Sequence, residues 1–176
     1  MPTKSQTKLL IIAASNGENL KLAERFIKLG NELGAQSELL DLTEVNLPLY
    51  NPRTHASEGI PDLVNTLSQK LSANTYWVIC APEYNGSIPP VLTSAIAWLS
   101  VQEQEFRYLF NGRPIAMASF SGGGGMELLL SLRIQLTHLG AQVVGRQLMS
   151  NHAKPPKDES IKDVLTRLLQ MKKLAI

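Results

Sequence analysis

A single cysteine, Cys80, stands among 176 residues, so neither an internal disulfide nor a cysteine-cluster metal site can form. Histidine is nearly as scarce, and His55, His138 and His152 include no i, i+4 pair that a helix would aim at zinc. No charge of one sign prevails. Lys+Arg 17 against Asp+Glu 15 leaves +2, which provides neither a nucleic-acid stripe nor a polybasic face for a membrane surface. No apolar run is long enough to span a bilayer. The polar, lysine-bearing stretch Met1–Lys8 lacks the apolar centre of a signal peptide, so a cytoplasmic protein is expected. There is no internal repeat, no low-complexity tract and no Gly-Lys-Ser/Thr of a nucleotide triphosphate loop. With 44% hydrophobic and 18% charged residues, the composition is that of a globular chain, sized for one domain over residues 1–176.

What is present is an alternation of strand and helix. Lys8–Ala14 is apolar enough for a strand covered on both faces. The turn Ser15–Asn19 leads into a helix with Leu22, Phe26, Leu29 and Leu33 at helical spacing, ended at Gly34. Ser37–Leu42 reads as a more polar edge strand, Asn46–Gly59 as loop, and Pro61 as the opening of a helix through Leu63, Val64, Leu67 and Leu71. Thr75–Ala81, β-branched, aromatic and uncharged, reads as the buried central strand. Val91–Leu99 is the helix behind Pro89 and Pro90. A charged connection, Gln102–Gly112, precedes a fourth strand at Arg113–Ser119 and a helix from about Met126 to Leu139. A fifth strand at Ala141–Met149 and a last helix, with Ile161, Val164, Leu165 and Leu168 on one face, complete the series. This predicts a doubly wound α/β domain: a flavodoxin-like three-layer sandwich around a five-stranded parallel sheet of order 2-1-3-4-5.

Ligands of such sheets sit beyond the carboxyl ends of the strands, and three unusual loops fall there. Ser15–Asn19 joins a strand to a helix amino terminus, a natural anion site with a hydroxyl and two amides beside it; an Asn-capped turn is the plainer explanation. Glu18 argues against a phosphate there unless its side chain points to solvent. Pro82–Pro90, braced by three prolines, presents an aromatic ring, an amide and Gly86, a surface suited to a flat heteroaromatic ring or simply a proline-rich turn. Gly122–Gly125 follow Ser121, and four successive glycines either admit something close to the backbone or make a flexible loop. Cys80 reads as structural, and His138 as a cation near a helix carboxyl end. The leucines of Met126–Leu139 exceed what one buried face needs, so part of that helix is expected at a subunit interface.

Pro82-Glu83-Tyr84-Asn85-Gly86-Ser87-Ile88-Pro89-Pro90-Val91-Leu92, with Ala95-Ile96-Ala97-Trp98, resembles the signature of the NADPH-dependent FMN reductase family, whose members include quinone, chromate and azo-dye reductases. Asp41-Leu42 through Leu47-Pro48-Leu49-Tyr50, and Ser121-Gly122-Gly123 through Leu132-Arg133 to Leu139-Gly140-Ala141, agree with it. The resemblance implies FMN as cofactor and NADPH or NADH as co-substrate. Ser15, Asn16, Gly17 and Asn19 would hold the phosphate; Pro82, Glu83, Tyr84, Asn85 and Gly86 would border the isoalloxazine ring; Ser121, Gly122 and Gly123 would face its pyrimidine end. It implies no side chain acting as acid or base and no metal. Electrons would go to a small-molecule acceptor, and a homodimer or homotetramer would be the working form. The chain departs from the family in its first loop, where a longer Gly-Ser-x-Arg segment is shortened and the arginine is missing. Two other readings stay open: a flavodoxin-type electron carrier, which the near-neutral charge disfavours, and a flavin-free interaction module on the same fold.

Overall fold

The computed structural model describes residues 7–102 and 105–175. Met1–Gln6, on which the reading of the amino terminus mainly rests, and Glu103–Gln104 of the charged connection lie outside the described residues. The chain runs β1 (Lys8–Ala13), α1 (Glu18–Glu32), β2 (Gln36–Asp41), α2 (Pro52–Glu58), α3 (Asp62–Ser72), β3 (Tyr76–Cys80) and α4 (Pro90–Ser100). It continues as β4 (Pro114–Phe120), α5 (Met126–His138), β5 (Gln142–Val143), β6 (Leu148–Ser150) and α6 (Asp158–Leu169). The strands pair in parallel in the order β2-β1-β3-β4-β5, with β6 also lying along β4. This is the flavodoxin-like order expected.

Period-2 alternation in strands buried on both faces sorts the core into two layers. Leu9, Ile11, Val78 and Ala116 face α1 and α6, meeting Phe26 and Leu165. Leu10, Ile12, Ile79 and Met117 face α3, α4 and α5, meeting Leu67, Ile96 and Leu132. Burial of each of the larger of these side chains contributes about 1.5–3 kcal/mol.

Two elements differ from expectation. Asn46–Gly59 is not all loop, because α2 forms inside it. Asn51 Oδ1 accepts the Arg53 N–H at 2.8 Å, Pro52 occupies the first turn, and Gly59 ends the helix at φ 78°. None of its residues is buried, so it carries no apolar periodicity to read. The fifth strand is not continuous. Val144 N–H still bonds Ile115 O, but the Arg133 guanidinium takes the Val144 carbonyl at 2.9 Å and the Gln147 side chain at 3.0 Å. The chain therefore leaves the ladder between β5 and β6.

Register decides what comes together. Ala13 pairs with Cys80, and Cys80 with Ala118, so β1, β3 and β4 end side by side and release their loops along one edge. The opposite edge is closed by the buried Arg113, whose guanidinium lies 4.3 Å from the centre of the Trp77 ring and donates to Leu109 O at 2.7 Å and to Asn74 O. Burial pulls its pKa down to about 10.

Candidate functional site at the carboxyl edge of the sheet

The first loop is shorter than the sequence suggests. Helix α1 starts at Glu18, and Asn19 lies within its first turn. Gly17 is the N-cap and offers no side chain, so backbone bonding begins with Leu20 N–H and Lys21 N–H donating to Gly17 O at 3.0 and 3.2 Å. The Glu18 and Asn19 N–H groups therefore precede the first intrahelical bond at the positive end of the helix. A Cβ on Gly17 would meet nothing within 4 Å, so the space outside this turn is open. Glu18 lies back along the helix to Lys21 at 2.7 Å, and that hydrogen bond holds its carboxyl below the usual range. Asn19, expected to reach a phosphate with its side chain, is buried and committed elsewhere. Its Nδ2 donates to Phe120 O and its Oδ1 accepts the Phe120 N–H, both at 2.9 Å.

The second loop contains a tight hairpin. Tyr84 N–H and Ser87 N–H donate to each other's carbonyls at 3.1 and 3.0 Å. Asn85 at φ 52° and Gly86 at φ 68° are the two left-handed residues that such a two-residue turn demands. Their identity is thus explained by backbone geometry, while Tyr84 stands 50% exposed beside the turn. Pro82 is buried at its base.

The four glycines of the third loop divide into two kinds. Gly124 and Gly125 have φ of 95° and 82°, and a Cβ on Gly125 would sit 2.7 Å from Ser119 Cβ. Only glycine fits there. Gly122 and Gly123 have no such backbone demand. A Cβ on Gly122 would face open space, and one on Gly123 would make only an ordinary contact with Glu83 Oε1 at 3.8 Å. No turn requires glycine at these two exposed positions, which fits a flat group lying against the backbone.

Polar groups bind the loops to one another. Glu83 N–H donates to Ser121 Oγ at 2.6 Å, and Glu83 Oε2 accepts the N–H groups of Glu127 and Leu128 at 3.2 and 3.3 Å. Ser121 Oγ lies 3.2 Å from Ser119 Oγ, and Ser150 Oγ donates to Ser119 O at 2.8 Å. The candidate residues therefore separate. Asn16, Gly17, Tyr84, Asn85, Gly86, Gly122 and Gly123 are exposed along the edge, with Ser15 half-buried. Asn19, Glu83 and Ser121 hold the loops in place. Cys80 is fully buried, its thiol pushed far up by burial, so it supplies no thiolate. His138 stacks on Phe106, away from these loops. Residues that sequence reasoning missed are Phe120, met edge-on by His152 at 5.0 Å, and the cleft of about 340 Å3 that they share with Lys21 and Arg25 beside α1. Nothing local in the sequence signals that cleft. Among the described residues, no helix is long and apolar enough to cross a membrane, and no group of three His, Cys, Asp or Glu side chains gathers to hold a metal ion.

The sequence matches the profile of the NADPH-dependent FMN reductase family over residues 7–155. A quinone reductase of Escherichia coli (strain K12) is 34% identical over 104 residues, covering 57% of this chain and 53% of that protein. An NAD(P)H-dependent FMN reductase of Pseudomonas aeruginosa is 33% identical over 90 residues, covering 51% of this chain and 45% of that protein. The chain thus spans about half the length of the curated relatives it matches. Among solved structures, FerB, a flavoenzyme NAD(P)H:(acceptor) oxidoreductase from Paracoccus denitrificans, superposes with a TM-score of 0.75 at 20% identity. That superposition covers 94% of this chain and 97% of FerB, and at such identity it speaks for the fold. With the profile spanning most of its length and the signature loop at the edge of the expected sheet, the chain belongs to the NADPH-dependent FMN reductase family.

Proposed function

We propose that the chain binds FMN across the three loops and acts as an NAD(P)H-dependent reductase of a small acceptor such as a quinone, a free flavin, an azo dye or a metal oxyanion. The observation that carries this reading is the pair Gly122–Gly123, glycines that no turn requires, on the same edge as a helix end without a side-chain cap. The N–H groups of Glu18 and Asn19, with Ser15 and Asn16 beside them, suit the phosphate. The Tyr84–Ser87 hairpin suits one border of the ring, and Gly122–Gly123 suit the pyrimidine end. FMN would accept hydride from the nicotinamide and pass electrons on. The chain's part is to orient the ring and leave one face accessible; no side chain at the edge need act as an acid or base.

Titration of FMN with apoprotein should quench flavin fluorescence to saturation at about one flavin per chain. Anaerobic stopped-flow absorbance with NADPH and NADH should then show direct two-electron bleaching, with reoxidation by a small quinone. Bleaching only by a separate reductase protein would make the chain an electron carrier; absence of saturable binding by folded protein would leave it flavin-free. A homodimer or homotetramer and a cytoplasmic location are part of this proposal. Association is supported by Met126, Leu130 and Ile134, which lie at i, i+4 and i+8 on α5 and remain exposed. Ile134→Glu should shift the sedimentation of the native species toward monomer.

A further inference from the structure

We infer that Glu83 is a positioning residue that locks the loop after β3 to the loop after β4, so that the two open and close as one unit. The reason begins at Gly125. This residue is the N-cap of α5, and the Ser119 side chain beneath it leaves no room for anything but glycine. The helix therefore cannot be capped by its own N-cap side chain. The missing acceptor comes from the neighbouring loop: Glu83 Oε2 takes the first-turn N–H groups of Glu127 and Leu128, residues 44 and 45 positions away. The same residue's N–H donates to Ser121 Oγ. One residue of the hairpin loop thus grips the glycine run on both sides, at Ser121 before it and at Glu127–Leu128 after it.

The consequence follows from chain entropy. Consecutive glycines have the most conformational freedom to lose, and Gly122–Gly123 gain no packing in exchange. Fixing both ends of the run to the rigid hairpin restricts that freedom before any ligand arrives, which is preorganisation. The carboxylate also fills the positive end of α5, while that of α1 stays uncapped, so an anionic ligand group is steered to one helix end and not the other. That the loops hold a flavin rests on the function proposed above; the lock itself belongs to the chain without ligand.

Two substitutions separate reach from charge. Glu83→Gln keeps the reach and one acceptor, whereas Glu83→Asp keeps the charge but is one methylene short. Amide hydrogen exchange of the apoprotein, with Glu83→Ala alongside, is the primary measurement. In Glu83→Ala and Glu83→Asp, exchange should rise at least tenfold both at 121–128 and at 84–87, although residues 84–87 make no bond to the carboxylate. Glu83→Gln should stay within about threefold of the parent in both segments. FMN affinity should fall at least tenfold in Glu83→Ala and Glu83→Asp and be retained in Glu83→Gln. If Glu83→Ala does not fold, the comparison of Gln with Asp decides alone. Faster exchange confined to Glu127 and Leu128, with FMN affinity unchanged, would overturn the lock and leave an ordinary cap. Coupled exchange in a parent that takes no FMN would uphold the lock and reject the flavin reading.

Discussion

Replacing Asn19 by alanine tests whether the first loop is held together from beneath. Strand β3 ends where Ala81 N–H donates to Ala118 O, so Phe120, two residues further along β4, has no strand beside it on that side. The primary amide of Asn19 stands in for the absent peptide group, accepting from Phe120 N–H and donating to Phe120 O at 2.9 Å. Asn19→Ala leaves both groups without that partner in a poorly solvated place. At about 1–3 kcal/mol each the loss is roughly 2–6 kcal/mol. Alanine returns about 0.6 kcal/mol through helix propensity. The net is a large fraction of a typical total of about 5–15 kcal/mol. Urea unfolding followed by tryptophan fluorescence should show the apoprotein midpoint lowered by about 1–2 M. Asn19→Asp should be no better near neutral pH, since it keeps the acceptor but turns a carboxylate oxygen toward the Phe120 carbonyl. An apoprotein midpoint unchanged in Asn19→Ala, with weakened FMN binding, would refute the reasoning and return Asn19 to the role of phosphate ligand.

Gly125→Ala should lower apoprotein stability by about 1–3 kcal/mol, from a left-handed backbone and the contact with Ser119, whereas Gly122→Ala should leave it nearly unchanged in the same urea assay. Gly123→Val should weaken FMN binding more than it lowers stability, as seen by comparing fluorescence titration with unfolding; unchanged binding would reduce the glycines to loop flexibility. FMN should bind more tightly than riboflavin, and Ser15→Ala should narrow that gap by about 1.5–3 kcal/mol if its hydroxyl bonds the phosphate; equal affinities in the parent would make the loop only a turn. Asp163 is held below its ordinary value of 3.8 by its hydrogen bond to Arg167 and the charges of Arg146 and Arg167. Its contribution is present above that value and lost as pH falls below it, so Asp163→Asn should flatten the acid limb of Tm against pH.

The sheet order was legible because five strands alternating with helices leave few right-handed, unknotted arrangements in a chain of this length. The edge that carries the loops followed from the same pattern. What stayed hidden was pairing across long sequence separations: Asn19 with Phe120 is 101 residues apart, and Glu83 with Leu128 is 45. A residue's type tells that it can hydrogen-bond, but not to what. Asn19, Glu83 and Ser121 therefore read as ligand groups, and no local pattern showed that they also tie the loops together. Two local signals were available in the sequence itself. Asn85-Gly86 is the strongest short hairpin signal, and Asn51-Pro52 is a cap followed by a first-turn proline, although α2 lacks the apolar stripe that would have marked it as a helix. The split of the fifth strand depends on a guanidinium reaching over from α5, which no local pattern encodes.

Cys80 gives this edge a clock. Its sulfur is wholly buried at the end of β3, its carbonyl accepts the Ala14 N–H at 2.9 Å, and no other thiol exists in the chain. Its side chain lies in the layer between the sheet and helices α1 and α6, so a thiol reagent can reach it only in molecules where that packing has opened, and there the thiol recovers ordinary acidity and reactivity. When reclosing is fast, the labelling rate is the open fraction multiplied by the rate for a free cysteine. A ligand that binds only the closed edge slows that rate by 1 + [L]/Kd. The unmodified chain therefore reports, without any substitution, how often the packing behind its ligand edge comes apart and how firmly any bound molecule keeps it shut.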